Sequence, residues 1–207
     1  MVCSSSGSEA REGEIMDKDI FKERGHSLEE EYIRKQEAKL VEKLRERGRL
    51  EEIAEALALK LQVDDPGLLR RIIALGVTLE TGAAFLLLPL VQVAWAEGEV
   101  TDRERETVLR LASERGLEKG SRAYAQLEQW LRVRPANELF DTAVEAIKSG
   151  ISVLSPEERT ERAQRIVAAC HKVAEASGGL FRLLGLSTGV SSEEESTLDT
   201  IAAKLRG

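Results

Sequence analysis

One phrase occurs twice in this chain, and the repetition restricts the fold more than any single residue does. From Val91 to Ala112 an apolar run ends at Glu97-Gly98, Val100 follows, and Thr101 opens an amphipathic stretch with Glu104 three residues on. Threonine and glutamate at that spacing form a capping box. The hydroxyl accepts from the N–H of the third helical residue, and the carboxylate accepts from the N–H of the cap. Val93, Ala94, Ala96 and Gly98 recur eighty residues later as Val173, Ala174, Ala176 and Gly178. Val100, Thr101, Glu104 and Leu111 recur ninety later as Val190, Ser191, Glu194 and Ile201, the ten-residue difference being an insertion from Leu180 to Gly189. In both copies the glycine stands where a helix end needs a left-handed residue, and the hydroxyl where the next helix needs its cap. The repeat predicts two helical hairpins that face one another.

The remaining apolar residues suit such a fold. Aromatics make up 4% of the chain and prolines number four, so the apolar content is mainly Leu, Ile, Val and Ala, the composition of helix packing. The fold class expected is an all-α bundle with two pseudo-symmetric hairpins, preceded by a long amphipathic helical arm. A net charge of −7 argues against nucleic acid as a partner, since phosphate recognition needs a dominant basic footprint. Cys3 and Cys170 match neither a disulfide framework nor a zinc spacing. The most apolar run, Ala83 to Ala96, holds Pro89 and Gln92 and is too short for a bilayer. With no basic region leading into an apolar one at the N-terminus, a cytoplasmic location is expected.

Residues 1–15 are rich in Ser, Gly and Glu without periodicity and are expected to be disordered, Met16 being a candidate start. Residues 16–75 form the arm. Phe21, Leu28, Tyr32, Leu40 and Leu44 make a thin apolar stripe on one long helix, which Gly48 should interrupt. Such a stripe must lie against its own domain, another protomer or another protein. Phe21, Leu28 and Tyr32 are the candidate partner contacts. Asp65-Pro66 starts a short helix reaching about Leu75, and the Gly- and Pro-spaced stretch 62–82 is the expected boundary before a domain over 76–207. Within that domain Gly116 closes a helix, Pro135 is expected in the first turn of another, and Ser155-Pro156 with Glu158 starts the next.

Chemistry is sparse. Glu97, Glu99, Asp102 and Glu104 gather around the first turn, and carboxylates there could take calcium or magnesium through oxygen. They do not make an EF-hand loop, whose first and third ligand positions would fall on Val93 and Trp95. Acids in a first helical turn are also favoured by the helix dipole alone. His171 follows Cys170 directly, so their side chains diverge on a helix and give no thiolate and base pair; no phosphate loop or nucleophile elbow occurs. An enzyme is therefore not expected. The insertion carries Leu180, Phe181 and Leu184, which either fold back onto the core or offer a contact for a protein or a membrane surface.

Ala94-Trp95-Ala96-Glu97-Gly98-Glu99-Val100 followed by Glu104, with the second copy ending in Val190-Ser191-Ser192-Glu193-Glu194, resembles the paired motifs of the TerB-like family of tellurite-resistance proteins over roughly residues 80–206. That resemblance implies an all-helical domain, an acidic surface that binds a metal or a partner, and a role in stress-response complexes at the inner membrane face. The family usually has aspartate before the motif glycine, where this chain has Glu97 and Ser177. The arm from Phe21 to Tyr32 is weakly similar to the inhibitor subunit of bacterial ATP synthases, which implies instead a helical regulator that binds an ATPase through the arm.

Overall fold

The computed structural model describes residues 9–177 and 190–206, with side chains for 31–176 and 190–206. Among the described residues every regular element is a helix. They are α1 (Glu9–Leu61), α2 (Pro66–Ala74), α3 (Gly82–Phe85), α4 (Leu88–Ala94), α5 (Asp102–Glu114), α6 (Arg122–Arg132), α7 (Asn137–Ser152), α8 (Pro156–Ser177) and α9 (Ser192–Arg206). The chain divides into two compact units, Met1–Glu51 and Glu52–Gly207. The inserted segment with Leu180, Phe181 and Leu184, and Gly178 before it, lie outside the described residues, as do the side chains of Phe21 and Leu28.

The first unit is a single helical stretch. Helix α1 begins at Glu9, so residues 9–15, expected to be disordered, belong to it, and it runs through Gly48 without a break. A single glycine costs a helix only about 1 kcal/mol relative to alanine. Here the Arg47 to Glu51 ion pair, 3.1 Å, bridges the position, as Lys35 to Glu31 at 2.7 Å does a few turns earlier. Neither pair adds more than a few tenths of a kcal/mol at an exposed site. What exceeds the cost is cooperativity, because extending an existing helix needs no new nucleus.

In the second unit the last turn of α1 is core: Leu57, Leu61 and Val63 are buried. Gln62 takes a left-handed φ of +56°, normally left to glycine, and this lets the Val63 N–H reach the Ala58 carbonyl at 3.0 Å. The same closure ends α2 at Gly76, with Val77 N–H on Ile72, and α5 at Gly116, with Leu117 N–H on Ala112. Each closure drops a buried apolar side chain into the core just past the helix. The boundary expected at 62–82 therefore falls inside the second unit, because Val63, Leu68, Ile72 and Val77 are all buried there. Pro135 also stands outside α7 rather than in its first turn, since the extended backbone of Ala136 postpones that helix to Asn137.

Around this core α8 packs against α4, α5 and α9, while α7 packs against α2, α4 and α9. Small residues allow the close approach: Ala94, Ala143, Ala146, Ala169 and Ala174 are all buried. No helix of the described residues is long and apolar enough to cross a membrane.

A Cβ at Gly48 would meet nothing within 4 Å. Gly48→Ala is thus expected to strengthen α1 by about 1 kcal/mol locally, read as slower amide exchange across residues 40–51. Unchanged or faster exchange there would mean that Gly48 is not helical in solution.

Candidate functional site

The site the sequence points to is built from the end of α4, the turn after it and the start of α5. Helix α4 ends at Ala94, and Trp95 is tied down by its indole N–H, which donates to the Trp130 carbonyl at 2.8 Å. The chain then reverses through Gly98, whose φ of +92° is the left-handed geometry expected from its place in the repeat. Thr101, in extended conformation, caps α5. Its N–H and its hydroxyl both donate to Glu104 Oε2, at 2.8 and 2.6 Å, while its Oγ1 accepts from the Glu104 N–H at 3.3 Å.

The second copy closes in the same way. Ser191 N–H donates to Glu194 Oε2 at 2.8 Å, and Ser191 Oγ accepts from the Glu194 N–H at 3.2 Å. Ser155 and Glu158 repeat the device at the start of α8, but in solvent, where the bond from the Ser155 backbone holds the Glu158 carboxyl below its usual range. Glu104 and Glu194 differ from it in burial: 2% and 0% exposed, they are the acidic side chains in the core among the described residues.

These two carboxylates feel one another. The Glu104 carboxyl is raised above its ordinary range, chiefly by loss of water on burial, with the Thr101 bonds pulling the other way and the charges of Glu194 and Glu97 adding to the rise. The sequence grouped Glu97, Glu99, Asp102 and Glu104 as one acidic cluster. Instead, Glu104 turns inward to its cap and towards Glu194, while Glu97, Glu99 and Asp102 stay exposed. Asp102 opens onto the opposite flank of α5, beside Arg105 and Glu106. Among the described residues no three acidic, His or Cys side chains are grouped so as to hold a metal ion. Glu194 was absent from the cluster read from the sequence, although its equivalence to Glu104 in the repeat is the signal that could have found it.

Two other features bear on chemistry. Cys170 is buried, and loss of water pushes its thiol up to about 12 against the weak opposing pull of Arg115, so it stays protonated at neutral pH. His171 is exposed and turns away from Cys170 into the groove beside α9. An apolar groove of about 400 Å³ lies between α8 and α9, floored by Ala163, Val167 and Leu205. The arginines at its rim are occupied by backbone: Arg159 donates to the carbonyls of Ser152 and Leu154, and Arg206 to that of Ala202.

Compared with known proteins, the chain matches no family model, no curated protein and no solved structure.

Because burial raises Glu104 in the folded state, its ionised form costs stability above the folded value, and that cost fades as pH falls toward the unfolded one. Glutamine keeps the acceptor that the capping box needs but carries no charge. Glu104→Gln should therefore match or exceed the wild type in urea unfolding at pH 7, its advantage shrinking as the pH drops towards 4.5. Glu104→Ala, which loses the cap, should be less stable by about 1 kcal/mol. A Gln variant weaker by the same amount at every pH would contradict the raised carboxyl.

Proposed function

We propose that this chain is a non-enzymatic helical interaction module of the TerB-like kind, serving a stress response of the tellurite-resistance type. The observation that carries the interaction half of this reading is the apolar content of α1: Tyr32, Leu40 and Leu44 are all more than half exposed on one continuous helix. Exposed apolar residues in sequence on one element mark a surface made for a partner. The TerB-like half is supported by the motif residues themselves and by the matching capping boxes at Thr101 and Ser191.

A partner-binding role is preferred to a metal-binding one. The one buried carboxylate of the first turn spends Oε2 on its own cap, and the exposed acids are not grouped as ligands. The exposed arm equally supports a second reading, a helical regulator that engages an ATPase or another protein through the same face.

Two experiments separate these roles. In a tellurite-sensitive deletion strain the wild-type chain should restore growth, and Leu40→Glu with Leu44→Glu should not, though the folded second unit persists. Full complementation by that variant would sink the interaction reading. Thermal melts in EDTA, calcium, magnesium, manganese and zinc should coincide. A rise with one cation that Glu97→Gln with Glu104→Gln abolishes would restore the metal role, since a ligand of the native state raises its midpoint by mass action.

A further inference from the structure

Counted at 3.5 residues per turn, part of the apolar content of α1 falls into two adjacent rows, with Tyr32 and Ile53 on one flank of them and Leu44 on the other. Ile33, Leu40, Arg47, Ala54 and Leu61 then share one row, and Gln36, Lys43, Leu50 and Leu57 the row beside it. A seven-residue repeat is the seam of a left-handed supercoil, with the two rows as its a and d positions; between Ile33 and Leu50 three of those six positions are apolar and three, Gln36, Lys43 and Arg47, are polar. Leu57 and Leu61 are buried in the core of the second unit, whereas Ile33, Leu40 and Leu50 are each more than half exposed and Ile53 is 39% exposed. The seam is therefore open over residues 32–53.

We propose that a second copy of this chain closes that seam, the two α1 helices pairing antiparallel about a centre between Val41 and Glu42. Charge decides the direction. Paired parallel and in register, the seam sets Arg47 against Arg47 of the second copy and Lys43 against Lys43, while the flanking positions set Glu46 against Glu51. Like charges at these three levels oppose that geometry.

Reversed about the stated centre, the like-charged levels separate, and the one mismatch left between residues 32 and 53 sets Leu44 opposite Glu37. Ile33 meets Leu50, and Tyr32 meets Ile53, both apolar. Lys39 meets Glu46, Lys43 lies within reach of Glu37, and Arg47 faces the amide of Gln36, whose carbonyl oxygen can accept from a guanidinium. Leu40 faces Lys43, whose methylene stem covers it while the ammonium reaches solvent. By symmetry each contact occurs twice. The polar pair in the seam costs stability but fixes register and direction, the use for which such residues are best attested.

Residue 46 allows a test with opposite signs in the two geometries. Glu46→Lys sets lysine against Lys39 in the antiparallel pair, but against Glu51 in the parallel one. Within the single helix it relieves Glu42 but sets like charge against Lys43 and Arg49, so the helix content of each variant is compared by circular dichroism. Sedimentation equilibrium of the full chain at low salt should give a reversible dimer. Glu46→Lys should dissociate about tenfold more readily, and Lys39→Glu with Glu46→Lys should return to within about threefold of the wild type. A wild type monomeric at every concentration would overturn the proposal, as would Glu46→Lys dimerising as tightly as the wild type or tighter. Failure of the charge swap to restore pairing would overturn the register.

Discussion

The first turn of a helix leaves amide groups with no partner within it, and this chain meets that constraint twice with a buried glutamate. The cap residues of α5 and α9 are exposed or half-buried, but the glutamate that completes each capping box is buried: Thr101 with Glu104 and Ser191 with Glu194 supply the acceptors. A carboxylate in such a place is disfavoured by burial and favoured by the bonds it accepts. For Glu104 burial dominates, and the nearby Glu194 and Glu97 add to it. Two helices are thereby fixed by their first turns, and α8, packed against both, is held between them. The core is arranged around this: Val108 and Leu111 on α5, Leu198 and Ile201 on α9, and Val173 on α8 are all buried.

The arm obeys different physics. Over residues 31–51 the described side chains are exposed or nearly so, and charged residues dominate. In its last two turns one face is covered, Leu57 and Leu61 being buried while Leu59 is 82% exposed. Tyr32, Ile33, Leu40, Leu44 and Leu50 are exposed on α1, and any role for the arm follows from what meets those side chains.

The sequence disclosed the parts of this fold that are written in local chemistry. The caps at Asp65, Thr101, Ser155 and Ser191 and the closures at Gly76 and Gly116 stand where residue type and spacing place them. Other features carry no local signal. Gly48 is a weak breaker outweighed by the helix on either side of it, and nothing about Gln62 announces a left-handed backbone; it follows from burying Val63 immediately after Leu61. Acids around the first turn were legible as a group, but which of them turns inward depends on the cap. That the charge of Glu194 reaches Glu104 depends on how α5 and α9 each pack against α8 and α4, which no single window of sequence contains.

The charge of buried Glu194 adds to the rise of the buried Glu104 carboxyl, and a double-mutant cycle at about pH 7 tests that coupling most directly. Urea unfolding of Glu104→Gln, Glu194→Gln and the double variant separates each cap from their mutual repulsion. Either single substitution relieves the same repulsion, so the double variant should be less stable than the two separate effects sum to, by more than the roughly 0.5 kcal/mol within which independent sites add. Additivity within that margin would mean that the two carboxylates do not meet, and that each helix start is an independent cap.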